Sequence, residues 1–139
     1  MSAGYIGVVG AAILGPALSR AGLDLAVIPA WLLLLGLLWI MPVMGQMGAN
    51  PILTMSLVAP LLPPAAEIGI EPAALAVALL CGWAMTGLTS PFTATNLLIG
   101  RFGAIRTIDV GWVWNRSYFL ITVTLLSVWT LIHAYWLGP

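Results

Sequence analysis

Residues 45–54 read GQMGANPILT, and they fall inside an uncharged run that covers residues 25–66. Two glycines, a glutamine, an asparagine and a proline stand together here. The flanking sequence is nearly all apolar, AWLLLLGLLWIMPVM (30–44) on one side and SLVAPLL (56–62) on the other. A run of 42 residues is about twice what one spanning helix needs, since some 20 residues at about 1.5 Å each cross the hydrocarbon layer. The stretch therefore predicts a helical hairpin over 27–63, with legs 30–44 and 51–62 and a tip at 45–51. The second leg has about 12 residues, roughly 18 Å as a helix, which is short for a full crossing. The tip is then either a surface turn between two spans or the end of a re-entrant hairpin that stops at membrane depth. A surface turn ordinarily carries charge, and this one has only neutral amides, which favours the re-entrant form.

Composition agrees with burial in lipid. The chain has 139 residues, 62% of them hydrophobic and 6% charged, with a mean hydropathy of +1.12. A soluble domain carries about 25% charged residues. Four arginines and four acids, with no lysine, give a net charge of zero. That balance predicts neither nucleic acid as a partner nor a polybasic lipid contact. The single cysteine, Cys81, lies in an apolar run and reads as a packing residue. The opening MSAGYIGVVG has no basic stretch ahead of its apolar residues, so it reads as the start of a membrane helix rather than a cleavable signal.

Charged residues mark the other elements. Arg20 and Asp24 close a first helix at 4–20, and Glu67 and Glu71 close the hairpin. A helix over 72–100 follows, then a stretch at 101–116 with Arg101, Arg106, Asp109 and Arg116, then a last helix at 117–138. The helix at 72–100 contains its own interruption, TGLTSPFTATN (86–96). Pro91 cannot donate a backbone hydrogen bond, and its ring opposes the carbonyl four residues back. Gly87 and the hydroxyls of Thr86, Thr89, Ser90, Thr93 and Thr95 surround it. The expected fold is thus an all-α integral membrane domain: three full transmembrane helices plus a re-entrant hairpin, one spanning helix being broken near Pro91. The arginines of 101–116 place that stretch, and the N-terminus, in the cytoplasm and the C-terminus outside, as in a bacterial inner membrane. Trp112 and Trp114 on one side and Trp136 on the other suit the two interfaces.

Interrupted helices free backbone groups that protein, water or a ligand must satisfy. Freed carbonyls suit a cation, and helix starts suit an anion. Asn50 precedes Pro51 as a natural N-cap, leaving the N–H groups of residues 52–54 for a ligand at the tip. Ser90 and Thr93 could hold a monovalent cation, Thr95 adding a further oxygen. Thr54, Thr89 and Asn96 complete the candidate set, and Gln46 could bond either the broken helix or a ligand. Small and hydroxylated residues also serve plain helix packing in membranes, and a proline beside threonines can be a tolerated kink. His133 reads as a packing or interfacial histidine before a proton relay, and Asp109 as an ion-pair partner. No enzymatic constellation is visible.

The order of GANPILT (48–54), PPAAEIGIEP (63–72), LTSPFTATN (88–96), GRFGAIRTIDVGWVWN (100–115) and a final helix from Tyr118 resembles the C-terminal half of the ion transporter superfamily, in particular the divalent anion/sodium symporters. The resemblance implies a secondary transporter built from a hairpin and a broken helix. It implies that Asn50 corresponds to the hairpin-tip asparagine that contacts sodium or substrate. Thr89, Ser90 and Pro91 would open the second break, and Asn96 would stand for its asparagine. Ala49 and Pro51 stand where that family has Ser and Thr. Members are much longer and add an inverted second half. This chain would then be a half-domain or subunit working with a second membrane chain or further copies of itself. It would move a small solute, an anion among the candidates, with Na⁺ or H⁺ coupling and no other cofactor. The alternative is a non-transporting accessory subunit of a larger membrane complex.

Overall fold

A computed structural model describes residues 2–22 and 25–137, with side chains from Tyr5 to Trp136. Asp24, expected to help close the first helix, and residue 138 of the expected last helix lie outside the described residues. Among those residues the chain is helical throughout, without strands. The elements are α1 (Ser2–Arg20), α2 (Ala30–Gln46), α3 (Pro51–Val58, prolonged by a 3₁₀ turn at Ala59–Leu61), α4 (Pro72–Thr89), α5 (Ala94–Gly103) and α6 (Arg116–Ile132). Wider π-type turns occupy Asp109–Trp114, ahead of α6, and His133–Leu137, beyond it.

Among the described residues, two runs are long and apolar enough to cross a membrane: the interrupted pair α4–α5, Pro72–Gly103, and α6 with its extension, Arg116–Trp136. Three full spans were expected. Within the residues whose side chains are described, Tyr5–Arg20 of α1 forms a shorter apolar helix, as do α2 and α3. The break near Pro91 is present, but the second half of the broken helix continues to Gly103. The expected amphipathic stretch at 101–116 is therefore the end of α5, a tight turn and the first π segment, rather than one helix.

The centre of the molecule is the contact between α2 and α4. The Leu38 carbonyl lies over Gly82, where an added Cβ would sit 2.5 Å from that oxygen. About two turns further along α2, Gly45 faces the side chains of Thr86 and Ser90. Residue numbers rise together along both helices, so the two run parallel. Leu33, Leu34 and Leu37 pack with Ala74, Ala78 and Leu79 towards one end, and the loop residues Ala65 and Ile70 cover that end. α6 returns antiparallel. Phe119 and Val123 meet Leu38 and Met85 near its start, and Ala134 beyond its end joins the cluster around Ala74. α1 lies outside this core, parallel to α3, with Gly7 against the Ser56 carbonyl.

The hairpin turns where the sequence places it. Ala49 donates its N–H to the Met44 carbonyl at 3.0 Å, and Gly48 donates to Gly45 at 3.1 Å. This paired pattern is a Schellman closure, which requires a left-handed residue at the position of Gly48, whose φ is +86°. Asn50 then starts α3 as expected, its Oδ1 accepting the Ile52 N–H at 2.8 Å.

Gly82→Ala should lower stability by about 1–3 kcal/mol, because the Leu38 backbone cannot yield as a side chain would. Gly36→Ala, where nothing lies within 4 Å of an added Cβ, should be neutral or stabilise by up to about 1 kcal/mol through helix propensity. Unfolding of the two variants in detergent, followed by helical circular dichroism, measures the contrast.

Candidate functional site

Among the described residues, five of the six buried polar side chains, Thr54, Thr86, Thr89, Ser90 and Asn96, belong to the two interruptions; the sixth is Thr130. The interruptions meet. Ser90 donates its hydroxyl to the Gly45 carbonyl at 2.7 Å, tying the end of α4 to the last turn of α2. Gln46 Nε2 donates to Thr89 Oγ1 at 3.0 Å, so the choice left open for Gln46 resolves to the broken helix. On its other face Gln46 Oε1 accepts the indole N–H of Trp112 at 2.9 Å. One glutamine amide therefore joins the hairpin, the broken helix and the π segment at Asp109–Trp114.

That π segment presses on the break itself. A Cβ at Gly111 would collide with the Thr89 carbonyl, so only glycine lets the two backbones approach this closely. The Trp112 ring stands edge-on to Phe119, with centroids 5.9 Å apart, and Phe119 in turn meets Trp39 at 6.1 Å. Trp112, expected with Trp114 at the interface, is thus committed inward, whereas Trp114 and Trp136 are exposed. The role of Trp112 and the close approach of Gly111 were missed in the sequence. The available signal was Gln46 itself, a long amide in an apolar helix that needs both a donor and an acceptor.

The carbonyls freed by the break at Pro91 are mostly taken by the following residues. The Ser90 carbonyl accepts from Asn96 Nδ2 at 2.9 Å, Thr93 Oγ1 at 3.1 Å and the Thr93 N–H at 3.4 Å. Asn96 also reaches the Leu88 carbonyl at 3.3 Å, and Thr93 the Gly87 carbonyl at 3.4 Å. The expected cation position at Ser90 and Thr93 is therefore crowded with the chain's own donors, and a cation there would have to displace Asn96. Asn96 itself is 4% exposed and binds backbone, not a ligand. Thr54, also buried, points its hydroxyl at the Asn50 carbonyl 3.3 Å away within its own helix. Thr95 is exposed and lies outside the junction.

The donor side is different. Of the three N–H groups expected to be free at residues 52–54, Ile52 is capped by Asn50 Oδ1 and Thr54 bonds to the Asn50 carbonyl. At α5, however, Thr93 turns its hydroxyl back to α4, so the helix starts without a side-chain cap. The starts of α3 and α5 border one cleft of about 310 Å³, lined by Gly48, Asn50, Pro51, Ser90, Phe92 and Thr93 among others. The partial positive charge at each helix start favours an anion in such a place. Groups of three or more His, Cys, Asp or Glu side chains able to hold a metal do not occur among the described residues. His133 is at the far end of α6 from this junction, its Nδ1 enclosed without a hydrogen-bond partner among the described residues. Asp109 pairs with Arg106, Nε to Oδ2 3.8 Å, as its position suggested.

No family model, curated protein or solved structure matches the chain.

Gln46→Leu should destabilise the protein by about 1–3 kcal/mol, since it strands the buried Thr89 hydroxyl and the Trp112 N–H together. Trp112→Phe combined with Gln46→Leu should cost less than the sum of the two single variants. A double-mutant cycle on denaturant unfolding measures that coupling.

Proposed function

We propose that the chain is a membrane-embedded half-domain of a secondary transporter that binds a small anion in the cleft between the starts of α3 and α5. The observation that carries this reading is an asymmetry at the junction. Its carbonyls are covered by Ser90, Thr93 and Asn96, while the amide end of α5 has no side-chain cap and opens on the cleft. A site that offers donors and hides acceptors suits a carboxylate or phosphate group rather than a bare cation. Membrane embedding is supported by the two long apolar runs and by the large apolar side chains on the outside, among them Val8, Ile13, Trp31, Leu80, Ile121 and Leu125. Exposed apolar surface on this scale is foreign to a monomer in water.

In this reading the α2–α3 hairpin is re-entrant, with its tip level with the break in α4. The N-terminus and residues 101–116 are cytoplasmic, and the C-terminus is outside. Asn50 and the first turn of α3 form one wall of the cleft, and Ser90, Thr93 and the first turn of α5 form the other. The opposing wall comes from a second membrane chain or a further copy of this one, and Na⁺ or H⁺ supplies the coupling.

The accessory-subunit reading draws on a different observation. Gln46 and Ser90 each spend their polar groups within the chain, as residues of a purely structural junction would. Reconstitution separates the two. Proteoliposomes holding the chain, alone and with membrane proteins that copurify with it, should take up small carboxylates or phosphate. Asn50→Ala and Ser90→Ala should each lower that uptake at least tenfold. Uptake that survives both substitutions unchanged removes the cleft as the site, and no uptake under any pairing favours the accessory role.

A further inference from the structure

The net charge of zero hides one strongly cationic feature. Residues 101–106, RFGAIR, comprise the last residues of α5 and the turn that follows it. Ile105 donates its N–H to the Gly100 carbonyl at 3.1 Å, and Ala104 takes a left-handed conformation with φ +51°. Gly100 is in contact with Thr107 across the turn. These contacts close the chain after the last turn of α5, with Arg101 and Arg106, both exposed, on either side of the closure in sequence. Between them in sequence, Phe102 is 85% exposed and Ile105 36%, so two accessible apolar side chains accompany two exposed arginines. Arg106 is 79% exposed, and its contact with Asp109 is a single long one through Nε, which leaves its terminal nitrogens free. No partner of Arg101 occurs among the described residues.

We infer that this turn is a docking surface for the headgroup of an anionic phospholipid. The inference rests on the membrane-embedded reading above and concerns a different face from the cleft. Arginine suits the partner because its planar donor fork matches a phosphate diester. The exposed phenyl ring belongs at the boundary where acyl chains begin, so Phe102 and Ile105 enter the chains while both arginines reach the phosphate layer. The complementarity is one of charge. Two arginines against one half-exposed acid leave the turn net positive, and each basic group near an anionic leaflet contributes about 1 kcal/mol.

The test compares lipid retention by the purified chain in nanodiscs containing phosphatidylglycerol and phosphatidylcholine in equal parts. The retained lipids are read by native mass spectrometry after release. The wild-type chain should retain phosphatidylglycerol over phosphatidylcholine, with roughly a fivefold preference for each arginine engaged. Arg101→Gln/Arg106→Gln should abolish the preference and Arg101→Lys/Arg106→Lys should keep part of it. Arg116→Gln, which removes one positive charge from an exposed arginine outside the turn, should keep nearly all of it. Inorganic phosphate should not compete, because it lacks the acyl chains that Phe102 and Ile105 meet. A preference that persists in the double glutamine variant, or is absent from the wild-type chain, overturns the inference. Competition by inorganic phosphate overturns it as well, by assigning the turn to a free anion. A chain that does not enter nanodiscs at all instead overturns the membrane reading beneath it.

Discussion

The hydrogen bond from the Ser90 hydroxyl to the Gly45 carbonyl, and the glycine-mediated contact of α2 with α4 that makes it possible, set the position of everything else. Two helices that run parallel must be joined by a chain that goes back the whole way, and α3 with the loop to Pro72 does that. Because Gly82 and Gly45 lack side chains, the axes come close enough for a side chain at the end of α4 to reach the backbone of α2. The same closeness brings Gln46 within reach of Thr89. A bulkier contact would leave the hairpin tip and the interruption at Pro91 as two unrelated irregularities, each with unsatisfied backbone.

Brought together, the two irregularities solve different halves of one problem. A broken helix exposes acceptors at the end of its first part and donors at the start of its second. Here the acceptors are answered from within: Thr93 and Asn96 turn back to α4 and cover the carbonyls at Gly87, Leu88 and Ser90. The same movement takes Thr93 away from the start of α5, so covering the carbonyls is what uncovers the amides. The π segment at Asp109–Trp114 seals the opposite side, through Gly111 on the Thr89 carbonyl and Trp112 on Gln46. The wider π turn is a form that recurs at functional positions in helices.

Much of this was legible in the sequence, and for identifiable reasons. Asn and Pro in GQMGANP each favour a particular backbone state, so the turn and the Asn50 cap follow from local chemistry, while the left-handed φ of Gly48 is seen only in the fold. Pro91 marks its break for the same reason. What local chemistry could not fix was pairing. Whether Thr93 caps its own helix or reaches back to the preceding one depends on the bend between them, and a threonine ahead of a helix is compatible with both. The inward role of Trp112 depends on a hydrogen bond to a residue 66 positions earlier, which no periodicity reveals. At α1 the charge expected to close the run, Arg20, is also where the helix ends, Ser2–Arg20. The expected cation position at Ser90 and Thr93 is crowded because the nearest neighbours of Thr93 and Asn96 are the carbonyls of their own broken helix.

The parallel arrangement of α2 and α4 also has a consequence in time. The groups that meet across the junction are 43 to 66 positions apart along the chain, and ribosomes deliver them in order. When α2 and α3 have left the exit tunnel, Gln46 and the Gly45 carbonyl have no intramolecular counterpart, and none exists until Ser90 and then Trp112 have been made. The polar junction of the young hairpin therefore closes only after the later helices have been made.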